Sequence, residues 1–362
     1  MKKIILSILV FLMSVPVFAC TSVIVSGKKS PSGRPVMYKH RDTGHLDNFI
    51  GRYQGEKYTF IGLVNAGASA EVWSGTNSAG FCIINTATYD LKDDNVPDEQ
   101  MDQEGVLMYK ALGVCKDLAD FENLLNTLPR PMGVEANFGV IDAYGGAAYY
   151  EVNNHSWVKF DVNDEKVAPL GYLVVTNFTQ TGRPEDRKGV DRYEKGYEIM
   201  STLKEDDTRG LFCDHRFLVN KFSRNGKPIL RNITSSTIAF EGVKAGDDPI
   251  KTVMWTVCGY PTTTIYVPLM VLDDNFIPAY LDDGAKDGHS QMCDRGLMFK
   301  EKKINASKTC RQVEKFIDRK FTTLYRKWLC SEITFDTFKR EYRKLLYDIY
   351  LKYEKDFDEI LL

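Results

Sequence analysis

Five short apolar runs that fit β-strands follow an apolar leader at the start of the chain. The first two flank the turn-rich link KKSPSG, which favours a hairpin, and residues 77–80 provide a reversal before the fifth. A hairpin would bring Asp42, at the end of the second run, back towards the start of the first, near Cys20. The runs are TSVIVSG, RPVMYKHRD, KYTFIGLV, AEVWSGTN and GFCIINTATY.

A helical pattern comes next. The segment EQMDQEGVLMYKALGVCKDLADFENLLNTL has apolar residues three and four positions apart, which predicts an amphipathic helix ended by Pro129. ANFGVIDAYGGAAYYEVNNHSWVKFDV then predicts a hairpin that turns at residues 144–146, and GYLVVTNF predicts a buried strand. Two helical stretches follow, around DRYEKGYEIMSTLKE and GLFCDHRFLVNKFSR.

The last third returns to strands and ends in helices. STIAFEGV, KTVMWTVCG and TTTIYVPLMVL predict strands, and the charged tail from about Arg295 includes the amphipathic run FDTFKREYRKLLYDIYLKYEKDFDEILL. This order predicts an α+β fold of layered sheets and helices rather than a regular βαβ alternation. We expect a main domain over 20–294 and a helical C-terminal extension over 295–362. The extension is expected to pack on that domain; packing on a neighbouring copy is the alternative, so a homo-oligomer stays open.

Composition limits the partners. The 362 residues are 43% hydrophobic and 27% charged, with a formal net charge of −2. This balance is ordinary for a globular protein and suggests no nucleic-acid partner. The partner we expect is a small molecule.

The first 19 residues have the three parts of an export signal. MKK is a basic start, IILSILVFLMSV an apolar run, and VFA a small-residue cleavage site. The run is short for a membrane span and no later segment is long enough, so no transmembrane segment is expected. We expect an exported protein, periplasmic in a Gram-negative source. The alternative is lipidation of Cys20, although Phe18 is bulky for a lipobox.

Eight cysteines are present without any Cys-x-x-Cys pair, so the common zinc signatures are absent. An oxidising compartment permits disulfides among Cys293, Cys310 and Cys330. Buried free thiols are the equal alternative.

Cleavage after Ala19 would give Cys20 both a thiol and a free α-amino group. Their unperturbed pKa values are about 8.5 and about 7.7–8. The amine can therefore take the thiol proton near neutral pH, and the thiolate can attack an amide carbonyl to form a thioester. Such a reaction needs hydrogen-bond donors for the carbonyl oxygen and an acid that orients the amine.

Three polar residues at strand ends meet these needs. Asp42 ends the second strand, Asn85 ends GFCIIN, and Asn177 ends YLVVTN. Each alone is more often a turn former. Together they are the candidate partners of Cys20.

Five motifs, in order, resemble those of the N-terminal-nucleophile hydrolases of the choloylglycine hydrolase and acyl-coenzyme A:6-aminopenicillanate acyltransferase superfamily. CTSVIV…GRPVMYKHRD resembles that group's Cys-Thr/Ser start and a strand ending in Asp. GTNSAGFCIIN is similar to its Gly-x-Asn-x-x-Gly turn and a strand ending in Asn. NFGVIDAYGGAAYYEV and VVTNF resemble its central hairpin and Thr-Asn strand, and TVMWTVCGYP its late strand pair. The likeness covers about residues 20–271.

The resemblance implies a four-layer αββα sandwich of antiparallel sheets, with Cys20 as nucleophile and its own amine as base. It implies that Asp42 contacts the amine, that Asn177 helps to hold the oxyanion, and that Asn85 adds a second donor or positions the substrate. Enzymes of this group cleave linear, non-peptide amides such as bile-salt conjugates or N-acyl compounds, and some transfer acyl groups. No metal or dissociable cofactor is implied.

The basic residues depart from the choloylglycine hydrolase pattern. Those enzymes carry an Arg three residues before the Asp, where this chain has Lys39; Arg41 is adjacent to Asp42 instead and is the candidate substrate-binding residue. ITSSTIAF also lacks the Arg that the group carries in this Ser-rich segment. Both departures weigh against bile-salt specificity and leave an acyltransferase-like branch open.

Three other functions compete with the amidase. Cys-type dipeptidases of the same nucleophile class also start with Cys-Thr and a hairpin, although VVTNF and MWT favour the amide hydrolases. A papain-type site would need an internal nucleophile, and Cys213, beside His215, lies in a helical stretch more typical of packing. A lipid-anchored binding protein with Cys20 acylated is the non-enzymatic alternative.

Overall fold

The computed structural model describes residues 19–203, 205–206, 210–211, 213–273, 276–282 and 289–362. Two antiparallel sheets face each other, and helices cover their outer faces. The strands are β1 (Thr21–Val25), β2 (Val36–Asp42), β3 (Asn48–Gln54), β4 (Thr59–Asn65), β5 (Ser74–Asn77), β6 (Cys82–Ala87), β7 (Ala136–Ile141), β8 (Ala147–Val152), β9 (Trp157–Asp161), β10 (Tyr172–Val175), β11 (Glu205–Asp206), β12 (Gly210–Leu211), β13 (Thr234–Glu241), β14 (Val253–Cys258) and β15 (Tyr266–Leu269). The α-helices are α1 (Glu104–Val114), α2 (Leu118–Thr127), α3 (Val190–Met200), α4 (His215–Leu218), α5 (Gln291–Glu301), α6 (Ser307–Leu329) and α7 (Phe335–Leu361).

The first sheet has six strands in the order β10-β1-β2-β13-β14-β15. The predicted hairpin of β1 and β2 is confirmed, with Thr21 opposite His40 and Ser22 opposite Lys39. On its other side β1 pairs with β10, where Ser22 lies opposite Val175. The strand that begins next to Cys20 is therefore an interior strand, hydrogen-bonded on both sides.

The second sheet is a seven-stranded meander, β3 to β9 in chain order. Two of its turns lie where the sequence predicted them, at residues 77–80 and 144–146, and local polar side chains hold both. Asn77 Oδ1 accepts from the backbone of Ala79 and Phe81, and Asp142 Oδ1 accepts from the backbone of Tyr144 and Gly146. Such turn residues satisfy backbone groups that the ladder leaves free.

Apolar side chains fill the space between the layers. Ile61, Ile84 and Tyr149 of the second sheet share a buried core with Val23 and Tyr38 of the first. A second core on the outer face of the meander contains side chains of α1 and α2. Two facing antiparallel sheets with helices outside confirm the predicted α+β, four-layer αββα fold.

The prediction of one helix before Pro129 was wrong, because the segment folds as two. α1 ends at Val114 and α2 begins at Leu118, with Asp117 as its N-cap. The Asp117 side chain accepts a hydrogen bond from the backbone of Asp120, which starts the second helix. Capping by a short acid therefore starts a second helix within an apolar period that continues across the break.

The C-terminal helices pack on the chain's own sheet. Glu314 of α6 forms a buried ion pair with Arg224, with oxygen–nitrogen distances of 2.5 and 2.6 Å, and Tyr342 of α7 donates to the Pro268 carbonyl of β15. α5 begins at Gln291, across the expected start of the extension. In the described ranges, no helix is both long and apolar enough to cross a bilayer.

All eight cysteines are thiols in this structure. Cys310 is buried and its thiol faces the Thr262 carbonyl, whereas Cys330 is exposed after α6. Cys293 lies beside Cys258. The pairings considered among Cys293, Cys310 and Cys330 are not formed.

Candidate functional site

Cys20 lies immediately before β1 and is almost fully buried, with 5% of its surface exposed. Its backbone nitrogen donates to Asn177 Oδ1 at 2.8 Å. Ala19, the last residue of the expected leader, donates its backbone N–H to the Asp42 carbonyl at 3.1 Å. The predicted return of Asp42 towards the chain start is thus present in the backbone.

Asn177 follows β10 and directs its amide oxygen towards Cys20. The same oxygen accepts from Arg192 Nη2 at 2.7 Å, while Asn177 Nδ2 donates to the Ala87 carbonyl at 2.6 Å. The sequence-based role for Asn177 was to hold the oxyanion. In this arrangement its oxygen, rather than its NH₂ group, faces the nitrogen of Cys20.

Arg192 of α3 forms hydrogen bonds with the residues at the start of β1. It donates through Nη1 to the Cys20 carbonyl and to Thr21 Oγ1. The glycine before α3 makes room for it: Gly189 has φ of +76°, and a Cβ there would lie 2.2 Å from Arg192 Nη2. Burial lowers the pKa of Arg192, and the nearby charges of Asp42 and Cys20 oppose that effect.

Lys39 connects the two sheets beside Cys20. Its Nζ donates to Asn85 Oδ1 and to the Trp73 carbonyl, both at 2.6 Å. Burial lowers its pKa from 10.5 to about 7, a change opposed by Cys20 and reinforced by Arg41. Within the described ranges, Asn85 Nδ2 donates no hydrogen bond, so Asn85 keeps a free donor.

Arg41 is buried on the same side of β2. Its two terminal nitrogens donate to Asn48 Oδ1 at 2.8 Å and Asn65 Oδ1 at 2.9 Å. Its guanidinium lies 5.0 Å from the Trp73 ring centre. Burial lowers its pKa to about 10, and Cys20 opposes this change. The role of Arg41 in substrate binding stays a prediction.

Asp42 is fully buried in a polar cluster. Its Oδ1 accepts from Thr234 Oγ1 at 2.7 Å and lies 3.2 Å from His40 Nε2. Arg231 Nη1 is 3.8 Å from Oδ2. Asp42 Oδ2 is buried and, within the described residues, makes no hydrogen bond. It is available to a further donor.

Sequence reasoning missed three residues of this site: Arg192, His40 and Arg231. Arg192 appears as a polar position of a helical stretch, and its partner Cys20 is 172 positions away, so no local signal could identify it. His40 stands within the apolar run RPVMYKHRD, where no neighbouring motif marks it as functional. Arg231 stands two residues before the ITSSTIAF segment, which itself lacks an arginine.

A cavity of about 430 Å³ lies near the site. It borders Thr176, the neighbour of Asn177, and Asn137, whose Nδ2 donates to the Thr176 and Phe178 carbonyls. Its walls are mainly apolar and aromatic: Tyr149, Phe160, Val167, Leu173, Val175, Phe178, Tyr193 and Tyr197. Such a cavity accommodates an apolar group of a small ligand.

Metal-type donors converge elsewhere. Among the described residues, one cluster has donor atoms within 4.8 Å of one another: Asp47, His289 and Asp294. It shares no residue with the surroundings of Cys20, and all three side chains are at least partly exposed. The residues that contact Cys20 are amides and cations, which are poor metal ligands.

No protein-family model matches the sequence, and the search of curated proteins found no matching relative. Three solved structures are similar in fold. A Caenorhabditis elegans ortholog of N-acylethanolamine-hydrolyzing acid amidase has 14% identity and a TM-score of 0.46, over 63% of this chain and 95% of that one. A mutant of conjugated bile acid hydrolase from Clostridium perfringens has 11% identity and a TM-score of 0.44, over 71% of this chain and 93% of that one.

The third is penicillin V acylase from Agrobacterium tumefaciens, with 14% identity and a TM-score of 0.42 over 73% of this chain and 89% of that one. These are the kinds of protein that the resemblance in the sequence predicted.

Proposed function

We propose that the protein is an exported amidase that cleaves linear, non-peptide C–N bonds with Cys20 as an N-terminal nucleophile. The observation that carries the proposal is the environment of Cys20. Its backbone nitrogen donates to Asn177 Oδ1, and three basic side chains, Lys39, Arg41 and Arg192, interact electrostatically with its thiol group. Nearby cations stabilise a thiolate.

The base in this proposal is the α-amine that cleavage after Ala19 would create. Asn177 Oδ1 accepts one of its hydrogens and fixes its position, while Asp42 Oδ2, which accepts no hydrogen bond from the described residues, is the carboxylate oxygen at the neighbouring strand end. The amine takes the thiol proton, directly or through one water. It later gives that proton to the leaving nitrogen of the substrate.

The oxyanion donor in this proposal is Asn85. Lys39 binds its oxygen, which leaves the NH₂ group free to donate. Attack of the thiolate on the carbonyl carbon places negative charge on the oxygen, and Asn85 Nδ2 stabilises it. Collapse of the intermediate breaks the C–N bond and leaves a thioester on Cys20, which water hydrolyses. An amine acceptor in place of water would give acyl transfer from the same thioester.

Export and processing are part of the proposal, because a preceding residue would convert the base into an amide. The basic start, the apolar run and the small-residue cleavage site within residues 1–19 support export and cleavage. The first experiment is intact-mass measurement and N-terminal sequencing of exported protein. A free Cys20 supports the amidase, whereas a diacylglyceryl adduct would falsify it in favour of a lipid-anchored binding protein.

The second experiment measures amide hydrolysis on N-acyl amino acids, conjugated bile acids, β-alanyl amines and dipeptides. We expect Cys20→Ala and Cys20→Ser to abolish turnover while the control Cys330→Ser, at an exposed thiol, retains it. A form with one extra residue before Cys20 should be inactive and should recover when that residue is removed proteolytically. Turnover in the blocked form would rule out the α-amine of Cys20 as the base, and turnover in both Cys20 variants would place the nucleophile elsewhere. Turnover of dipeptides alone would favour a dipeptidase.

A further inference from the structure

Two buried cysteines outside the site meet around one backbone residue. Cys258 ends β14, and Cys293 lies in the first turn of α5. Cys258 Sγ donates to the Asn48 carbonyl at 3.3 Å, and the Asn48 backbone nitrogen donates to Cys293 Sγ, also at 3.3 Å. The two thiols thus occupy the two polar groups of a single strand residue, which brings their sulfurs together.

Neighbouring contacts hold the two segments at this spacing. Ser290 Oγ lies 3.5 Å from Cys258 Sγ and caps α5 by accepting from the Cys293 nitrogen at 3.1 Å. A Cβ placed on Gly259 would lie 3.4 Å from the Cys293 Cα, so the two backbones are almost in contact. This close backbone approach suits the short Cα separation that a disulfide requires.

We propose that Cys258 and Cys293 form a disulfide in an oxidising compartment, and that this bond fastens the start of the C-terminal helices to the first sheet. One thiolate attacks a sulfur of a disulfide oxidant, either glutathione disulfide or an oxidoreductase, which forms a mixed disulfide and frees the other sulfur of the oxidant as a thiol. The second thiolate attacks the mixed disulfide and frees the first sulfur of the oxidant, so two electrons and two protons pass to the oxidant and one S–S bond forms. The inference rests on the export that is part of the proposed function, but not on the chemistry proposed for Cys20.

The timing of the reaction follows from burial. Both thiols are inaccessible in the folded chain, and contact with Cys258 together with burial raises the pKa of Cys293. The folded pair therefore reacts slowly, because the thiolate is the reactive species. Oxidation belongs to folding, before α5 docks.

The test compares protein exported into an oxidising compartment with the same chain made in a reducing cytoplasm. Both are alkylated with iodoacetamide under denaturing conditions and digested with trypsin. We expect the oxidised sample to contain peptide 252–286 linked to peptide 287–295, a species that dithiothreitol splits. Recovery of both peptides fully alkylated from the oxidised sample would overturn the proposal, as would linkage of Cys293 to Cys310 or Cys330.

A thermal measurement tests the fastening. A disulfide would close the loop between Cys258 and Cys293, and this closure is expected to raise the Tm of the oxidised protein by about 5 °C over that of the reduced protein. Cys258→Ser should remove this redox dependence, whereas Cys310→Ser, at a buried thiol that faces the Thr262 carbonyl, should retain it. Equal Tm values for oxidised and reduced wild type would overturn the claim that the bond fastens the helices.

Discussion

His215 gives the fold a specific dependence on pH. Its ring stacks on Trp255 with 3.4 Å between ring centres. Nδ1 lies 2.8 Å from Glu241 Oε1 and Nε2 lies 3.2 Å from Asp318 Oδ1. Because Glu241 belongs to β13 and Asp318 to α6, a protonated His215 links the sheet to the C-terminal helices through two charge-assisted hydrogen bonds.

The size of the effect follows from the pKa of His215. Burial lowers it, but the charge of Glu241 and the hydrogen bonds to Asp318 and Glu241 outweigh burial and raise it from 6.5 to about 9. A pKa raised on folding stabilises the protonated native state fully below pH 6.5, and this contribution is lost as pH rises through 9. At 1.36 kcal/mol per pKa unit, the difference corresponds to about 3 kcal/mol of unfolding free energy.

The assay is urea unfolding at pH 6 and at pH 9.5 in constant ionic strength. Between these two values, we expect the unfolding free energy of wild type to fall by about 3 kcal/mol more than that of His215→Gln. The variant His45→Gln, at an exposed histidine, should follow wild type. Parallel pH dependence of wild type and His215→Gln would refute the reasoning.

Three further predictions concern other contacts. Arg224→Met leaves Glu314 buried without its partner and should cost about 3–5 kcal/mol by urea unfolding, with much of the loss recovered when Glu314→Gln is added; a loss under 1 kcal/mol would contradict this. Asp117→Ala removes the cap of α2 and should cost about 1 kcal/mol in the same assay, and an unchanged midpoint would show that another group caps the helix. Lys39, with a pKa lowered to about 7 by burial, loses its charge as pH rises through that value, whereas an arginine keeps it. The ratio of kcat/KM for Lys39→Arg to that of wild type should therefore rise above pH 7, and a flat ratio would show that the charge of Lys39 does not support catalysis.

Most of the fold could be predicted from local patterns. The hairpin of β1 and β2, the turn after Asn77 and the hairpin at Gly145 each combine an apolar run with nearby turn residues. The interruption between α1 and α2 could not be predicted from periodicity, because Asp117 caps a helix without disturbing the apolar spacing. The order of strands in the first sheet could not be predicted from local patterns either, since β13 pairs with β2 from nearly 200 positions away.

The candidate site divides in the same way. Cys20 and Asn177 stand out in the sequence because Cys20 directly precedes the apolar run TSVIVSG and Asn177 ends the apolar run YLVVTN. The structure brings the two residues into contact. Arg192 was unpredictable, because its packing against Cys20 depends on how α3 lies across β1 and β10. Arg41 was visible, but its burial against two asparagines arises only when the second sheet docks on the first.

The interior position of β1 bears on how well the form produced by the proposed cleavage after Ala19 would resist exopeptidases. Chain ends usually fray, and fraying gives exopeptidases their entry. Here the new N-terminus would directly precede β1, which is hydrogen-bonded to both β10 and β2, and Arg192 donates a hydrogen bond to the Cys20 carbonyl. In the proposed processed form, this placement would protect the terminal Cys20 from removal by exopeptidases.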